Sequence, residues 1–339
     1  MLYNNNASAL ATLAQQLHAR GEKARAAELC AQALASSPLD GESRRIVAEI
    51  LSADVPQWHF NIVRDMARNE AYEAALRRVV FPGCKVLEIG TGTGLLAMMA
   101  ARAGAGEVIT CESASAIAAA AQEIIERNGY AGRVRVLNKH SNQLDVQADL
   151  GGPADILVSE IISDNLLSEG VLPTHEYAIR HLIKPGAKIL PARGRVRIAL
   201  ADDDDWERAR MDWIAGFDLS PFNRLIHPYQ DCDVGSGRLV LRSEAADLFN
   251  FDFTSGGPYP EATAHITLTA QGSRINGVAQ WIALDMDGLN SYENRPEPGT
   301  HSSWQAVFHR FEEPLQIVPG EAVSICARHN RSALRIWAA

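Results

Sequence analysis

The sequence predicts a doubly wound α/β domain with a parallel sheet, followed by an antiparallel β domain and preceded by a short helical segment. Three observations carry this. Short apolar runs alternate with helical periodicity between residues 84 and 159. A glycine-rich turn joins the first run to the first helix, and after Pro191 the helical pattern gives way to short strand-like stretches. Strands alternating with helices build a parallel sheet with crossover helices, whereas many short strands between glycine and proline clusters build a barrel or sandwich.

The α/β elements follow in order. Residues 85–89 (KVLEI) read as a strand, 95–103 as a helix, 108–112 (VITCE) as a second strand and 114–127 as a second helix. Residues 134–137 and 155–159 supply two further strands. Beyond Pro191, residues 195–201, 264–270, 277–285, 304–311, 323–328 and 334–338 read as strands, punctuated at 255–260 and 295–299. At the front, Leu10, Leu13, Ala14 and Leu17, then Ala26, Leu29, Cys30, Ala33 and Leu34, recur at helical spacing. Gly21 separates these two helices, Pro38-Leu39-Asp40 ends the second, and a third begins before residue 52. The pair resembles one tetratricopeptide unit plus part of the next, and one such unit must dock on something to bury its face. The expected domains are 1–52, 53–192 and 193–339.

Composition narrows the function classes. The chain has 339 residues, 47% of them hydrophobic, and a formal net charge of −9. No apolar run is long enough to span a bilayer and no secretory signal opens the chain, so no membrane partner and a cytoplasmic location are expected. The acidic balance argues against nucleic acid, which needs a basic stripe. Five scattered cysteines, an odd number without a CxxC, argue against a disulfide framework and a structural zinc.

The first strand runs into Glu88-Ile89-Gly90-Thr91-Gly92-Thr93-Gly94. Such a turn brings backbone close to a ligand and presents a helix N-terminus to an anion. A dinucleotide fingerprint needs a third glycine at position 95, which is Leu95. The spacing here is G-x-G-x-G, with an acid two residues before the first glycine. That acid repels a pyrophosphate but suits the ammonium of an amino-acid moiety, which favours S-adenosyl-L-methionine over NAD. Glu112 ends the second strand, where a carboxylate can accept both ribose hydroxyls; a solvated strand-end residue is the plainer alternative.

The fourth strand ends at Ser159-Glu160, and Glu169 follows nine residues later. Ligands of open α/β sheets sit beyond the carboxyl ends of strands, so Glu160 is placed to meet one. If the loop returns Glu169 beside Glu160, the two carboxylates repel unless a cation lies between them, and a planar guanidinium can be gripped by both. They could then concentrate its charge on one nitrogen, leave another to attack a methyl group and take the released proton. The same spacing also fits two solvated surface glutamates.

Three segments, VLEIGTGTGLLAMMA at 86–100, NKHS at 138–141 and SEIISDNLLSEGVLP at 159–173, resemble the protein arginine N-methyltransferases, most closely their monomethylating branch. The last matches that family's double-glutamate loop, which implies that Glu160 and Glu169 grip the substrate guanidinium. Arg68 and Tyr72 resemble the family's Arg-x-x-x-Tyr helix, which implies that Arg68 meets the cofactor carboxylate; Ser141 falls where the family holds the adenine. The β half resembles the family's barrel through residues 281–285 and 304–308, and residues 213–218 resemble the start of its dimerisation arm, which implies a homodimer. The family's Thr-His-Trp loop appears here as Thr300-His301-Ser302-Ser303-Trp304, with two residues inserted or substituted. His301 is its candidate catalytic histidine, although registering on Gln305 puts Ser302 in that place.

The expected activity is S-adenosylmethionine-dependent methylation of an arginine guanidino nitrogen, on free L-arginine or on protein arginine. The rivals are methylation of another small molecule and a non-catalytic scaffold.

Overall fold

The computed structural model of the chain describes residues 4–36, 40–53 and 55–339. The expected helix terminator at Pro38-Leu39 lies outside them. The chain opens with α1 (Asn4–Ala19), α2 (Lys23–Ser36) and α3 (Gly41–Ser52). Asp40 caps α3 by accepting the Ser43 amide at 2.8 Å. Small buried residues, among them Ala7, Ala11, Ala14, Ala26, Cys30 and Ala33, let the three helices close on a core of their own. The tetratricopeptide resemblance is not confirmed. The segment is a three-helix unit that buries its own apolar faces.

Next come α4 (Trp58–Ile62), α5 (Met66–Val79), β1 (Lys85–Ile89), α6 (Leu95–Arg102), β2 (Glu107–Cys111), α7 (Ser115–Arg127), β3 (Val134–Leu137), β4 (Ala154–Ser159), α8 (Val171–His181) and β5 (Ile183–Leu190). The N-terminal unit reaches this part through α2 against α7. The five strands form a parallel sheet in the order β3-β2-β1-β4-β5. Helices cover both faces of such a sheet, which is why β1 and β4 are mostly apolar with almost every residue buried. β5 is not evident from the sequence, because Lys184-Pro185-Gly186 interrupts its apolar pattern and its register shifts against β4. The strand order reverses between β1 and β4, so the crevice for a ligand opens at their carboxyl ends. Both Glu88 and Glu160 lie there.

The remainder is antiparallel: β6 (Arg193–Asp203), β7 (Trp213–Ile214), β8 (Phe217–Asp218), β9 (Tyr229–Cys232), β10 (Leu239–Leu241), β11 (Ala246–Asp252), β12 (Ala262–Thr269), β13 (Arg274–Asp285), β14 (Ser291–Glu293), β15 (Ala306–Gln316), β16 (Ala322–His329) and β17 (Leu334–Ala338). One sheet runs β10-β6-β13-β15-β9, with β11 also on β6 and β14 on β13; a smaller one runs β12-β16-β17. β13 is its central strand and is buried from Ile275 to Leu284. A single apolar core runs from the parallel sheet into this β half, joining Leu87 and Leu157 to Val196, Ile282 and Ile325. The two halves are therefore fused by shared hydrophobic burial, which holds the crevice and the β sheet in fixed relation. Among the described residues no helix is long and apolar enough to cross a membrane, and no cluster could hold a metal ion. All five cysteines are free and buried.

Candidate active site

A cavity of about 330 Å³ lies at the carboxyl ends of β1, β2 and β4. Arg68, Glu88, Gly90, Gly92, Glu112, Ser141, Glu160 and Glu169, eight of the ten residues singled out in the sequence, line it. Gly90 has φ +88°, and a Cβ there would meet Ile161 Cγ2 at 2.9 Å, so the turn needs glycine for both conformation and space. Glu112 straddles the turn: its Oε2 accepts the Gly92 amide at 3.3 Å and its Oε1 the Ala114 amide at 2.9 Å. Ser141 opens a short 3-10 turn after β3 and is buried against the cavity.

Glu88 is 1% exposed, and its Oε2 has no hydrogen-bond partner. Burial pushes its carboxyl up to about 8. An unpaired buried acceptor is costly unless a ligand completes it, and an ammonium group would do so. With the glycine cradle, this orphaned carboxyl is what an amino-acid-bearing cofactor such as S-adenosylmethionine fits.

Two predicted residues fall outside. Gly94 does not line the cavity. It is the left-handed N-cap of α6, and a Cβ there would meet Ile125 Cδ1 at 2.9 Å, so it serves helix packing against α7. His301 is exposed and lines neither this cavity nor the one adjoining it at Glu169. The neighbouring serines take the inward places: Ser302 Oγ is 2.6 Å from the Tyr292 hydroxyl, and the Ser303 amide donates to Asp65 Oδ2 at 3.0 Å.

Arg68 and Glu160 form a buried ion pair at 2.9 Å, with side chains 4% and 7% exposed. Asn69 accepts from the other Arg68 terminal nitrogen at 2.7 Å, and the guanidinium lies over the Tyr72 ring, its carbon 5.1 Å from the ring centre. Burial pushes the Glu160 carboxyl up to about 7 against the pull of Arg68, and Glu169 adds to the rise. Glu169 is exposed at the cavity, yet the protein crowded around it, together with Asp164, also pushes its carboxyl up to about 7. Neighbouring carboxylates so raised are poised to receive a cation.

The loop carrying both glutamates is held from two sides. The Tyr72 hydroxyl donates to the Ser159 carbonyl at 2.9 Å, and Ser159 Oγ is 2.7 Å from His175 Nε2. Burial pushes His175 down to about 4, so this imidazole is neutral. From the β half, Trp304 Nε1 donates to the Ile162 carbonyl at 2.6 Å, the Gln305 amide to Asp164 Oδ1 at 2.7 Å and Gln280 Nε2 to the Asp164 carbonyl at 2.9 Å. Asp65 caps α5 through the Arg68 amide and accepts from the Tyr292 hydroxyl at 2.6 Å. Asp65 is legible in the sequence as a helix cap. Its tie to Tyr292, 227 residues away, is not.

A second cavity of about 490 Å³ lies between this loop and the β half. It shares Trp58, Ile62 and Glu169 with the first, so Glu169 stands where the two meet.

The fold and the cofactor-shaped cavity define an S-adenosylmethionine-dependent methyltransferase. The family model for ribosomal protein L11 methyltransferase (PrmA) matches residues 73–191, which span the parallel sheet. An arginine N(omega)-methyltransferase of Streptomyces achromogenes subsp. streptozoticus is 36% identical over 98% of this chain and 91% of its own length. The protein arginine N-methyltransferase 7 of Oryza sativa subsp. japonica is 32% identical over 81% of this chain, which spans only 44% of that longer relative. The chain belongs to the arginine N-methyltransferase family. Solved structures agree in fold: the Trypanosoma brucei PRMT1 enzyme-prozyme heterotetrameric complex with AdoHcy superposes with a TM-score of 0.73 at 24% identity, covering 84% of this chain and 93% of that one. Arabidopsis thaliana protein arginine methyltransferase 10 gives 0.67 at 17% identity, covering 82% and 95%.

Proposed function

We propose that the chain methylates an ω-nitrogen of free L-arginine. The observation that carries guanidino chemistry is Glu160, which already grips a guanidinium, that of Arg68, beside Glu169 at the meeting point of the two cavities. The free amino acid is favoured by the Streptomyces relative, named for arginine without reference to protein, whose match includes the N-terminal helices.

S-adenosylmethionine, when bound, supplies an electrophilic methyl group. Gly90, Gly92 and Ser141 would shape its bed, Glu88 would receive its ammonium and Glu112 its ribose. Arg68 would pair with its carboxylate, which would free Glu160 for the substrate. Glu160 and Glu169 then hold the substrate guanidinium by its N–H edges and turn one nitrogen toward the first cavity. As that nitrogen accepts the methyl group it sheds a proton, which a glutamate with its carboxyl raised to about 7 would receive.

A homodimer fits the same reading. Trp213, Phe217 and Leu225 are 69%, 70% and 68% exposed on the segment between β6 and β9, too much apolar surface to leave in water by chance. Sedimentation should give a dimer that Trp213→Glu dissociates.

The deciding experiment offers free L-arginine and an arginine-rich peptide side by side with labelled S-adenosylmethionine, followed by mass analysis. Methylated free arginine is expected. Methylated peptide alone would transfer the activity to protein substrates.

A further inference from the structure

The second cavity is walled by three carboxylates, Asp164, Glu169 and Asp231, and no lysine or arginine lines it. Among the described residues none of the three has a cationic partner. They repel one another: burial, with Asp231 adding to it, raises the Asp164 carboxyl to about 6, and burial, with Asp164 adding to it, raises Glu169. Asp231 sits on β9 opposite Val307 of β15, exposed at the cavity edge. Two buried side chains on the same wall add unfilled hydrogen-bonding capacity. Gln280 is fully buried, spends its amide nitrogen on the Asp164 carbonyl and leaves Oε1 without a partner. His309 is 6% exposed with Nε2 unpartnered, and burial pushes it down to about 4, so it brings no positive charge.

One guanidinium at Glu169 satisfies one end of this wall. It leaves unanswered the charges of Asp231 and of Asp164, whose Oδ1 accepts only the neutral Gln305 amide, and the Gln280 acceptor. We propose that the second cavity is a site for a second cation on the same substrate: a primary ammonium held by Asp231 and Asp164, with Gln280 Oε1 as a further acceptor. This rests on the reading that the chain methylates a small guanidine. On L-arginine the ammonium is the α-amine. The α-carboxylate meets no cation on the wall, so the amine is the handle by which the substrate is selected.

The test is steady-state methyl transfer by the wild-type protein and by Asp231→Asn on three compounds: L-arginine, arginine lacking its α-carboxylate and arginine lacking its α-amine. For the wild type, loss of the amine is expected to raise KM about tenfold or more, the worth of a charge-assisted hydrogen bond. Loss of the carboxylate is expected to change it by less. Asp231→Asn should raise KM for both amine-bearing compounds by about tenfold, keep kcat within about twofold, and leave the des-amino compound as it was. A des-amino compound that matches arginine, or an Asp231→Asn variant with unchanged KM for arginine, overturns the ammonium site while leaving guanidine methylation standing. Absence of turnover on all three overturns both.

Discussion

The two cavities that meet at Glu169 are built in opposite ways. The first takes its walls mainly from the carboxyl ends of consecutive parallel strands, with backbone amides and glycines in contact with the ligand space. The second is assembled from α4, the double-glutamate loop, β9, β13, β15 and the turn before β17, stretches separated by up to 270 residues or so in a chain of 339. One is a local device that any sequence with this strand, turn and acid can form. The other exists only because a continuous core fuses the β half to the α/β half. The difference teaches that cofactor binding and substrate choice can be damaged separately.

The largest effect is expected on turnover, from Glu160→Gln. The Glu160 carboxyl is pushed up to about 7 beside Arg68, so a neutral amide, which still offers Arg68 an acceptor, should leave the unfolding midpoint near that of the wild type and S-adenosylmethionine binding in place. Turnover of L-arginine should fall by about 10²- to 10⁴-fold. Undiminished turnover would remove Glu160 from the guanidinium grip.

Next come the glycines, which sharpen the comparison within a single turn. Gly90→Ala forces a left-handed residue into contact with Ile161, a strain of roughly 1–2 kcal/mol or more, and is expected to weaken cofactor binding about tenfold or more by calorimetry. Gly94→Ala carries similar strain but presses on Ile125 outside the cavity. It should lower stability with little change in cofactor affinity.

The pH dependence has a definite sign. Burial pushes the Glu160 and Glu169 carboxyls up to about 7 in the folded chain, above the ordinary glutamate value of 4.5. Folded-state pKa values that are raised stabilise the protein while the groups are protonated, and this contribution is lost as pH rises through the folded values. Global stability should therefore fall between about pH 5 and 8 from these groups. Over the same window kcat/KM for arginine should rise, since only the carboxylates attract the guanidinium. Parallel rather than opposed trends would contradict the assignment.

The smallest effect is expected at His301, which is exposed and outside both cavities: His301→Ala should leave kcat/KM within about twofold. A large loss would return this histidine to the reaction.

How much of this was legible in the sequence follows the same division. The parallel sheet, the turn at Gly90 and the acids at 88, 112, 160 and 169 were readable because period-two and helical patterns, turn residues and strand ends are local properties. β5 was hidden by Lys184-Pro185-Gly186, and β9, β10 and β14 are too short to show a period. Gly94 misled because a glycine that frees space for Ile125 looks the same in sequence as one that admits a ligand. His301 misled because its place is decided by Asp65 and Tyr292, which meet Ser302 and Ser303 only through tertiary packing. Asp164, Asp231 and Gln280 carried no spacing signal at all, since their convergence depends on how β9 and β13 face the loop.

The central claim is that Glu169 joins two separable halves of the site, one for cofactor and one for substrate, and Glu169→Gln tests it most directly. Glu169 has no partner whose charge would be stranded, so the variant should fold and bind S-adenosylmethionine within about threefold of the wild type. Its turnover of L-arginine should fall by about 10²- to 10⁴-fold, the usual contribution of a positioned acid-base group. Cofactor binding lost together with turnover would contradict the separation of the halves, and undiminished turnover would contradict the role of Glu169.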